Sequence, residues 1–428
     1  MAKLLYLVLD GAAGTAGRES ALKAARKPSI DSLAARGVCG LTYTISKGVA
    51  PESDAAVLSI LGYDPHRYYT GRGPIEAIGA GLSLKEGEEV AFRANFATVD
   101  PQSLKIIDRR VGRDLSTEEA RELAKALDGM KLSVEGSYVR VKATVGHRAV
   151  VVMGIEGLRL SDKVDNTDPA YDRIDLISVA AMRPSQYLKR CTPMEDSPEA
   201  RLTASLANEF SLKAVSILDK HPVNEKRRKE GRLPANAILL RDAGIRLPPV
   251  EPISEKFGLR FGAVAEMPVE IGISRILKMS VEEVPPPSGD LRKDLPSRLE
   301  AARKLLRRAD VVYVHLKGPD EPGHDGDFEA KVRAIELIDE FFVKPMIEED
   351  GLGTDLPTLV TSDHATPCWA RAHTDDPVPT CMAYRAIEPD SVQSFDEESC
   401  MRGKLGIIER GHYLLPRVLE LLGISPQA

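Results

Sequence analysis

The sequence predicts a doubly wound α/β core that carries a second, smaller α/β domain inserted into it. Three short, almost uninterrupted apolar runs, at residues 3–9, 311–316 and 356–360, are each followed closely by an aspartate. Such runs are typical of strands that are buried on both faces of a parallel sheet. Between the first two runs the pattern changes to alternating strands, which indicate an antiparallel or mixed sheet with one exposed face. We therefore expect strands and helices to alternate in both flanking regions, with a separate sheet between them.

The length and composition limit the class of protein. The chain has 428 residues, more than one hydrophobic core usually holds, and 43% of them are hydrophobic. Its net charge of −6 argues against nucleic acid as the main partner. No window approaches the roughly 20 apolar residues of a membrane span. The five cysteines are scattered, without a CxxC pair, which is typical of a reduced, cytoplasmic protein.

The first core segment contains two predicted helices. The first, around residues 30–35, is expected to end at Gly37 in the left-handed conformation. The second is expected to begin at Pro51 and to end at Gly62. Ser53 then lies in the first helical turn, where unpaired N–H groups and the positive end of the helix dipole favour an anion. A serine at this position is ordinarily a helix cap, so position alone leaves both roles open.

A turn cluster at residues 68–74 is expected to form the hinge between the domains. The core is expected to comprise residues 1–74 and 246–428, and the inserted domain residues 75–245. For the insert, the pattern predicts a strand at residues 90–100, a helix at 117–127 and two strands at 138–153. For the second core segment it predicts strands at 259–266 and 379–384 and helices at 297–308, 328–344 and 414–422.

Several acidic and imidazole side chains follow the apolar runs. Because ligands of parallel sheets gather beyond the carboxyl ends of the strands, we expect these side chains to converge on one sheet edge. Hard divalent cations bind carboxylate oxygens and neutral imidazoles, and a pair of cations needs several of each. The sequence therefore predicts a two-cation site. The candidate ligands are Asp10, Asp320, His324, Asp363, His364 and His373.

Longer motifs surround these candidates. They include Gly-Tyr-Asp-Pro at residues 62–65, Thr-Gly-Arg-Gly-Pro at 70–74 and the stretches at 9–11, 50–54, 92–98, 221–224, 234–236, 317–320 and 362–367. Through these motifs the chain resembles the archaeal-type, cofactor-independent phosphoglycerate mutases of the alkaline phosphatase superfamily. The resemblance extends from about residue 4 to about residue 422. It implies an alkaline-phosphatase-like core with an inserted substrate-binding domain.

The resemblance also implies an activity and a ligand set. The activity is the interconversion of 3-phosphoglycerate and 2-phosphoglycerate without 2,3-bisphosphoglycerate, through a phosphoserine at Ser53. Two divalent metal ions are implied, most often manganese, with magnesium, cobalt or zinc possible. By position, one metal would be held by Asp320, His324 and His373. The other would be held by Asp10, Ser53, Asp363 and His364.

The substrate-binding residues are also carried over from the resemblance. Arginine is the favoured partner for the substrate's carboxylate because its planar fork pairs bidentately. The candidates from the insert are Arg93, Arg113, Arg227 and Arg241, and those from the core are Lys256 and Lys317. His147, with Asp165 or Asp168, is the candidate acid or base, although the turn at residues 165–169 is more often structural.

Two other interpretations remain open at this stage. A related metal-dependent phosphotransferase or phosphatase could use the same scaffold, for example a homoserine-kinase-like relative. A catalytically silent, metal-dependent binding module is the second alternative, against which the nucleophile Ser53 argues. For the phosphoglycerate mutase interpretation the expected partner is a small-molecule substrate, phosphoglycerate, without nucleic acid or membrane, and a homo-oligomer is possible.

Overall fold

A computed structural model describes residues 3–174 and 176–424. The strands are β1 (Leu4–Leu9), β2 (Gly37–Thr42), β3 (Glu89–Val99), β4 (Ile106–Asp108), β5 (Ser137–Ala143), β6 (Arg148–Ile155), β7 (Tyr171–Ile174), β8 (Ile177–Ala180), β9 (Ala237–Gly244), β10 (Phe261–Ala265), β11 (Ser280–Glu283), β12 (Val311–Leu316), β13 (Thr358–Thr361), β14 (Val378–Ala383) and β15 (Gly406–Ile408).

The helices are α1 (Ala21–Ala24), α2 (Pro28–Ala35), α3 (Ser53–Ile60), α4 (Pro65–Tyr68), α5 (Arg72–Gly79), α6 (Thr117–Leu127), α7 (Pro198–Leu218), α8 (Pro222–Lys229), α9 (Ile253–Phe257), α10 (Pro268–Ile276), α11 (Leu291–Leu306), α12 (Asp320–Asp325), α13 (Phe328–Ile338), α14 (Lys344–Asp350), α15 (Glu397–Cys400) and α16 (Leu414–Leu421). Short 3-10 turns occupy Val111–Arg113 and Gly411–Tyr413. Within the described ranges, no helix has the length and apolarity that crossing a bilayer requires.

The chain divides into two compact units. The core unit contains the chain up to Tyr69, Pro249–Glu266 and the chain from Ile273 onward. The insert unit contains Thr70–Pro248 and Met267–Gly272.

The boundary of the insert unit differs from the sequence expectation of residues 75–245. Residues 68–74 were predicted to form a hinge turn, but Tyr68 ends helix α4 and residues 72–74 begin helix α5. The absence of a side chain at Gly73 lets α5 approach the backbone of β3 and β9 directly, since a Cβ there would overlap the carbonyl oxygens of Ala91 and Asp242. A similar glycine contact joins Gly272, in the first turns of α10, to Ile75 of α5. Both segments therefore pack with the insert.

The core unit is built on an eight-stranded sheet with the order β11-β10-β12-β1-β13-β14-β2-β15. Its paired strands are parallel, except that β14 runs antiparallel to both of its neighbours. The predicted α/β class is thus confirmed. Strand β1 lies between β12 and β13, with Leu9 in register with Leu316. The carboxyl ends of these three strands consequently lie side by side at one edge of the sheet.

The three central strands are buried on both faces, as their apolar runs predicted. Every residue of β1, β12 and β13 is buried. Leu5, Leu7 and Leu9 of β1 pack in the main hydrophobic cluster of the core unit. Full burial of one such leucine contributes about 1.5–3 kcal/mol. This burial fixes the position of the strand ends from which the candidate ligands extend.

The insert unit contains an antiparallel sheet with the order β4-β3-β6-β5, and β9 pairs with the other edge of β3. Helices α6 and α7 contribute apolar side chains to the cluster on one face. The prediction of one exposed face is wrong, because Ala77 of α5 packs against Ala91, Val150 and Val152 on the second face. The sequence pattern of β3, with small residues such as Ala91, does not indicate that a helix covers this face.

Three local predictions also need correction. Gly37 does not end α2 in the left-handed conformation, because it is the first residue of β2 and Arg36 ends the helix. The helix expected at residues 297–308 begins earlier, at Leu291, since the Asp290 side chain caps it. The long helix expected at 328–344 contains a π-helical segment, Asp339–Val343, between α13 and α14.

Candidate metal centre and its surroundings

The candidate ligands of the core unit leave the sheet next to one another. Asp10 directly follows β1, Asp320 begins α12 just after β12, and Asp363 follows β13. The backbone N–H of Gly11 donates to Asp363 Oδ1 at 3.0 Å, which ties the ends of β1 and β13 together. Gly11 has φ 58°, and a Cβ there would overlap the Asp320 carboxylate. A glycine is therefore required at this position.

The ligand atoms form two groups. Asp10, Asp363 and His364 form a buried group, and Asp320, His324 and His373 form a more exposed one. Within each group the ligand atoms lie within 4.8 Å of one another. These are the two groups that the resemblance implied, with Ser53 beside the buried one.

Hydrogen bonds fix which ring nitrogen of the exposed histidines can bind a cation. His373 Nδ1 donates to the carbonyl of Pro51 at 2.7 Å, and His324 Nδ1 donates to that of Arg371 at 3.3 Å. Both Nε2 atoms are then acceptors in the neutral rings, yet they lie 3.1 Å apart. Two lone pairs at this distance repel unless a proton or a cation lies between them, so the pair fits a metal ion.

The same tautomer is assigned to His364 in the buried group. The Thr366 hydroxyl donates to Asp320 Oδ1 at 2.7 Å, so its oxygen accepts from His364 Nδ1 at 2.9 Å. His364 Nε2 consequently faces Asp363 Oδ2 at 3.0 Å and the Ser53 hydroxyl at 3.2 Å. Burial disfavours a charged imidazole, but Asp363 and Asp320 outweigh this and raise the pKa of His364 to about 9. A proton here occupies the position that suits a cation.

Two buried carboxylate oxygens support the same conclusion. Asp10 Oδ1 and Asp363 Oδ2 are buried. Within the described residues Asp10 Oδ1 accepts no hydrogen bond, and Asp363 Oδ2 depends on a proton at His364 Nε2, 3.0 Å away. Burial opposes the ionisation of Asp363, but His364 and His315 outweigh this and hold the pKa of its carboxyl well below the usual range. Buried anionic oxygens without hydrogen bonds are costly unless a cation binds them. The donor set therefore fits hard divalent cations.

Ser53 is the first residue of α3 and does not cap it. The N-cap is Glu52, whose side chain makes no capping hydrogen bond, and the Ser53 hydroxyl contacts His364 instead. The cap interpretation is therefore wrong. The serine hydroxyl lies at the positive end of a helix and beside the buried ligand group, which is where a nucleophile that attacks an anion is best placed.

Sequence reasoning missed three residues around these ligands. His315 Nε2 lies 3.5 Å from Asp10 Oδ1 and 3.6 Å from Asp363 Oδ2. Thr366 links Asp320 to His364, and Lys331 of α13 is buried beneath the ligand loops. A histidine inside an otherwise apolar strand and a lysine on the buried face of a helix were the available signals. Thr366 gave none beyond its proximity to His364.

The two candidate lysines of the core unit lie in different surroundings. Lys317 Nζ contacts Asp10 Oδ2 at 3.1 Å, so it belongs to the buried ligand group. Lys256 Nζ lies 4.8 Å from the centre of the Tyr63 ring and 3.8 Å from Glu251. The structure therefore places Lys317, and not Lys256, in contact with a candidate metal ligand.

The insert unit holds a separate cluster of arginines. Arg93 of β3 and Arg241 of β9 are direct cross-strand partners. Arg93 lies 3.4 Å from Glu76, and the Arg241 guanidinium stacks 4.1 Å over the Tyr171 ring. Burial, followed by the charge of Arg241, lowers the pKa of Arg93 to about 10. Paired guanidinium groups of this kind suit a carboxylate or phosphate.

His147 belongs electrostatically to this cluster. Burial, with smaller contributions from Arg148, Arg110 and Arg241, lowers the pKa of His147 to about 3. The imidazole is therefore neutral near pH 7.

The other insert candidates have structural partners. Arg227 is fully buried, donates to Glu119 at 2.7 Å and also pairs with Asp114, so its proposed contact with substrate is not supported by this geometry. Asp168 is buried and binds the Arg109 guanidinium through both oxygens. Asp165 forms an ion pair with Lys189 at 2.7 Å. Arg113 lies on a 3-10 turn with φ 58°.

Comparison with known proteins identifies close relatives along the whole chain. The family model described as 2,3-bisphosphoglycerate-independent phosphoglycerate mutase matches residues 34–224. A relative of that name from Aeropyrum pernix is 50% identical over 98% of this chain and 99% of its own length. Another from Archaeoglobus fulgidus is 40% identical over 99% of this chain and 98% of its own length.

Solved structures agree with these relatives. A protein from Pyrococcus horikoshii matches with a TM-score of 0.78 and 28% identity, covering 100% of this chain and 99% of its own. The cofactor-independent phosphoglycerate mutase from Thermoplasma acidophilum matches with a TM-score of 0.60 and 30% identity, covering 98% and 99% of the two chains. The chain belongs to the family of 2,3-bisphosphoglycerate-independent phosphoglycerate mutases.

Proposed function

We propose that this isomerase interconverts 3-phosphoglycerate and 2-phosphoglycerate by transferring the phosphoryl group to Ser53 and back. The supporting observation is the position of the Ser53 hydroxyl, at the first turn of α3 and 3.2 Å from His364 Nε2. Family membership supports the overall reaction, and this contact supports the covalent route. No 2,3-bisphosphoglycerate is needed, because the enzyme itself holds the phosphoryl group between the two half-reactions.

The two ligand groups are proposed to hold one divalent cation each. Asp10, Asp363, His364 and Ser53 would hold the first, and the exposed group of Asp320, His324 and His373 the second. When bound, such cations neutralise phosphoryl oxygens and lower the pKa of a coordinated hydroxyl. We expect manganese first, with magnesium, cobalt or zinc possible, because carboxylates and imidazoles admit all of them.

Ser53 is proposed to act as the nucleophile in each direction. Its Oγ loses a proton and attacks phosphorus, and a new P–O bond forms. The bond between phosphorus and the substrate oxygen breaks, and that oxygen takes up a proton to become a glycerate hydroxyl. The free glycerate reorients, and its other hydroxyl attacks the phosphoserine while Ser53 leaves. The N–H groups at the start of α3 favour the anionic phosphoryl group throughout.

The arginine cluster of the insert unit is proposed to bind the carboxylate of glycerate. Arg93 and Arg241 provide paired guanidinium groups. His147 is proposed to move protons at the glycerate hydroxyls, which requires a bound anion to raise its pKa from about 3. Asp165 and Asp168 are more simply explained by their ion pairs.

Location and assembly stay predictions. The five cysteines are free thiols, which supports a reduced, cytoplasmic location. A homo-oligomer is possible.

A comparison of two serine variants tests the covalent route. Ser53→Ala and Ser59→Ala each remove one hydroxyl from α3, but the Ser59 hydroxyl is buried beside Gly411. In an enolase-coupled assay with Mn²⁺, we expect Ser53→Ala to lose at least about a thousandfold in kcat, and Ser59→Ala to stay near wild type.

Two further measurements complete this test. Mass spectrometry of the quenched wild-type reaction should detect phosphate on Ser53. Activity in Ser53→Ala would rule out the covalent route. Release of inorganic phosphate without 2-phosphoglycerate would instead identify a phosphatase.

A further inference from the structure

Lys331 of α13 lies under the candidate metal centre in an unusual environment. Its side chain is 1% exposed, and its ammonium donates to the carbonyl oxygens of Gly11 at 2.7 Å, Thr366 at 2.7 Å and Ala13 at 3.3 Å. An ammonium has three donor hydrogens, so these backbone carbonyls match its capacity. Among residues 3–174 and 176–424, no carboxylate forms an ion pair with it.

The three carbonyls belong to the loops that carry the candidate ligands. Gly11 directly follows Asp10, and Thr366 is two residues beyond His364. The carbonyl of Ala13 also accepts from the Thr366 N–H at 3.0 Å, so the two loops are already adjacent. Lys331 holds both loops through one charged group.

The third ligand segment, which contains Asp320 and His324, is connected to Lys331 by the polypeptide backbone. Helix α13, which contains Lys331, follows α12 after a two-residue connection, and α12 contains Asp320 and His324. The Thr366 hydroxyl also donates to Asp320. One ammonium therefore connects the segments that supply ligands to both groups.

A structural lysine would ordinarily reach solvent or pair with a carboxylate, because burying an ammonium is costly. Burial lowers the pKa of Lys331 to about 8, although nearby negative charges, among them Asp320 and Asp10, oppose this. An apolar side chain would fill the same space at lower cost to the core, but it would leave three buried carbonyls without this donor.

We propose that Lys331 is a positioning residue for both cation sites, holding the three ligand loops in their binding arrangement before any cation binds. The inference rests on the proposed metal-dependent function. Without the clamp, the carboxylates of Asp10, Asp320 and Asp363 would be free to move apart by mutual repulsion. Groups that orient metal ligands typically change metal affinity about 10- to 100-fold when they are removed.

Lys27 provides a matched control in the same unit. It is 2% exposed, and its ammonium pairs with Asp31 at 2.8 Å and approaches Ser394 at 3.4 Å. Neither partner is a candidate metal ligand. Lys27→Met and Lys331→Met therefore each remove one buried ammonium from the core unit, but only the second removes the clamp.

The experiment is an equilibrium titration of the full-length apoprotein with Mn²⁺, followed by the EPR signal of the free ion. We expect Lys331→Met to raise the Kd for Mn²⁺ by about 10- to 100-fold and Lys27→Met to leave it within about twofold of wild type. The rise in Tm on adding Mn²⁺ should shrink in Lys331→Met and persist in Lys27→Met. Lys331→Arg, which keeps the charge and several donors, should recover part of the affinity.

An unchanged Kd in Lys331→Met, with lower Tm in both the apo and loaded forms, would overturn the proposal and leave a purely structural lysine. If Lys331→Met does not fold, Lys331→Gln replaces it. The shorter, neutral amide has two donor hydrogens for three carbonyls, so the Kd should still rise, and an unchanged Kd would again overturn the proposal. Failure of the wild-type protein to bind Mn²⁺, Mg²⁺, Co²⁺ or Zn²⁺ would overturn the proposed metal-dependent function and this inference with it.

Discussion

The ligand groups of the core unit and the arginine cluster of the insert unit are opposite in charge and in how their polar groups are satisfied. In the core unit, Asp10 Oδ1 is a buried acceptor without a hydrogen bond from the described residues, and Asp363 Oδ2 depends on a proton at His364 Nε2, 3.0 Å away. In the insert unit, Arg93 and Arg241 each have a carboxylate within 4 Å, Glu76 and Asp242 respectively. The carboxylates of the core unit therefore require added positive charge. The arginines of the insert unit are already partly neutralised, so an anionic ligand must compete with their existing carboxylate partners.

The two clusters also differ in how the backbone builds them. The core ligands follow the ends of adjacent parallel strands, where the sheet topology alone brings them together. The arginines lie inside β3 and β9, and only the cross-strand register makes them neighbours. Binding at the metal-ligand groups therefore depends on each individual ligand. Binding at the arginine cluster depends on the orientation of the two guanidinium groups.

The largest expected effect is the loss of a carboxylate from the buried ligand group. Asp363→Asn keeps the shape of the side chain but removes the charge that compensates a cation, so we expect at least about a thousandfold loss of kcat. Elemental analysis after equilibration with Mn²⁺ should find fewer ions per chain than in wild type. Asp339→Asn is the matched control, because Asp339 is also buried in the core unit but accepts from the N–H groups of Ser29 and Ile30.

We expect Asp339→Asn to lower Tm without changing the metal content. Equal metal content in Asp363→Asn and wild type would show that the buried acceptors are satisfied without a cation. The core carboxylates would then not differ from the insert arginines in requiring an added charge.

The second prediction separates the roles of two arginines of the insert unit. Arg241→Lys keeps a charge but loses the planar fork, so we expect KM for phosphoglycerate to rise about 10-fold, with little change in Tm. Arg227→Lys weakens the buried pairs with Asp114 and Glu119, so we expect Tm to fall with KM nearly unchanged. Steady-state kinetics and thermal unfolding of both variants provide the test. A raised KM in Arg227→Lys would contradict this prediction and support a contact between Arg227 and substrate.

The contrast explains which parts of the site the sequence could predict. Apolar runs mark central strands, and the polar residues that follow them converge once the strands are parallel, so the positions of Asp10, Asp320 and Asp363 follow from local pattern. The roles of Lys331 and Arg227 depend on which distant carbonyls or carboxylates they meet. No local pattern encodes these contacts, and a charged residue on a helix looks the same whether its partner is solvent or a buried loop.

The fold shows the same division. The sequence predicted part of the element order, including the start of α6, because the signals of its capping box lie within a few residues of each other. It predicted no strand for β2 or β9 and no helix for α7. The sequence did not predict that α5 covers the second face of the insert sheet, because this packing depends on the close approach of Gly73 to two strands. The start of β2 at Gly37 was missed because a glycine after a helix is compatible with both a cap and a strand.

A smaller effect should appear in the intrinsic fluorescence of the core unit. Trp369 is the only tryptophan in the sequence, and it lies in the loop between His364 and His373. Its indole donates to Thr15, and the Arg18 guanidinium lies 4.2 Å from its ring centre. Paramagnetic Mn²⁺ should quench this fluorescence partially and saturably, whereas diamagnetic Mg²⁺ should quench it less. A response that never saturates would indicate collisional quenching in place of binding.

The smallest expected effect concerns His147 and acid stability. Its pKa is about 3 in the folded protein, mainly because of burial, against about 6.5 in an unfolded chain. As the pH falls, the unfolded state therefore binds a proton before the folded state does. The contribution of His147 to the free energy of unfolding is fully present above about pH 6.5 and is lost as the pH falls toward 3. His147→Gln cannot take up this proton, so its Tm should fall less between pH 7.5 and pH 5 than that of wild type. Equal falls would mean that the imidazole is not held neutral, and a neutral proton carrier among the arginines would then be excluded.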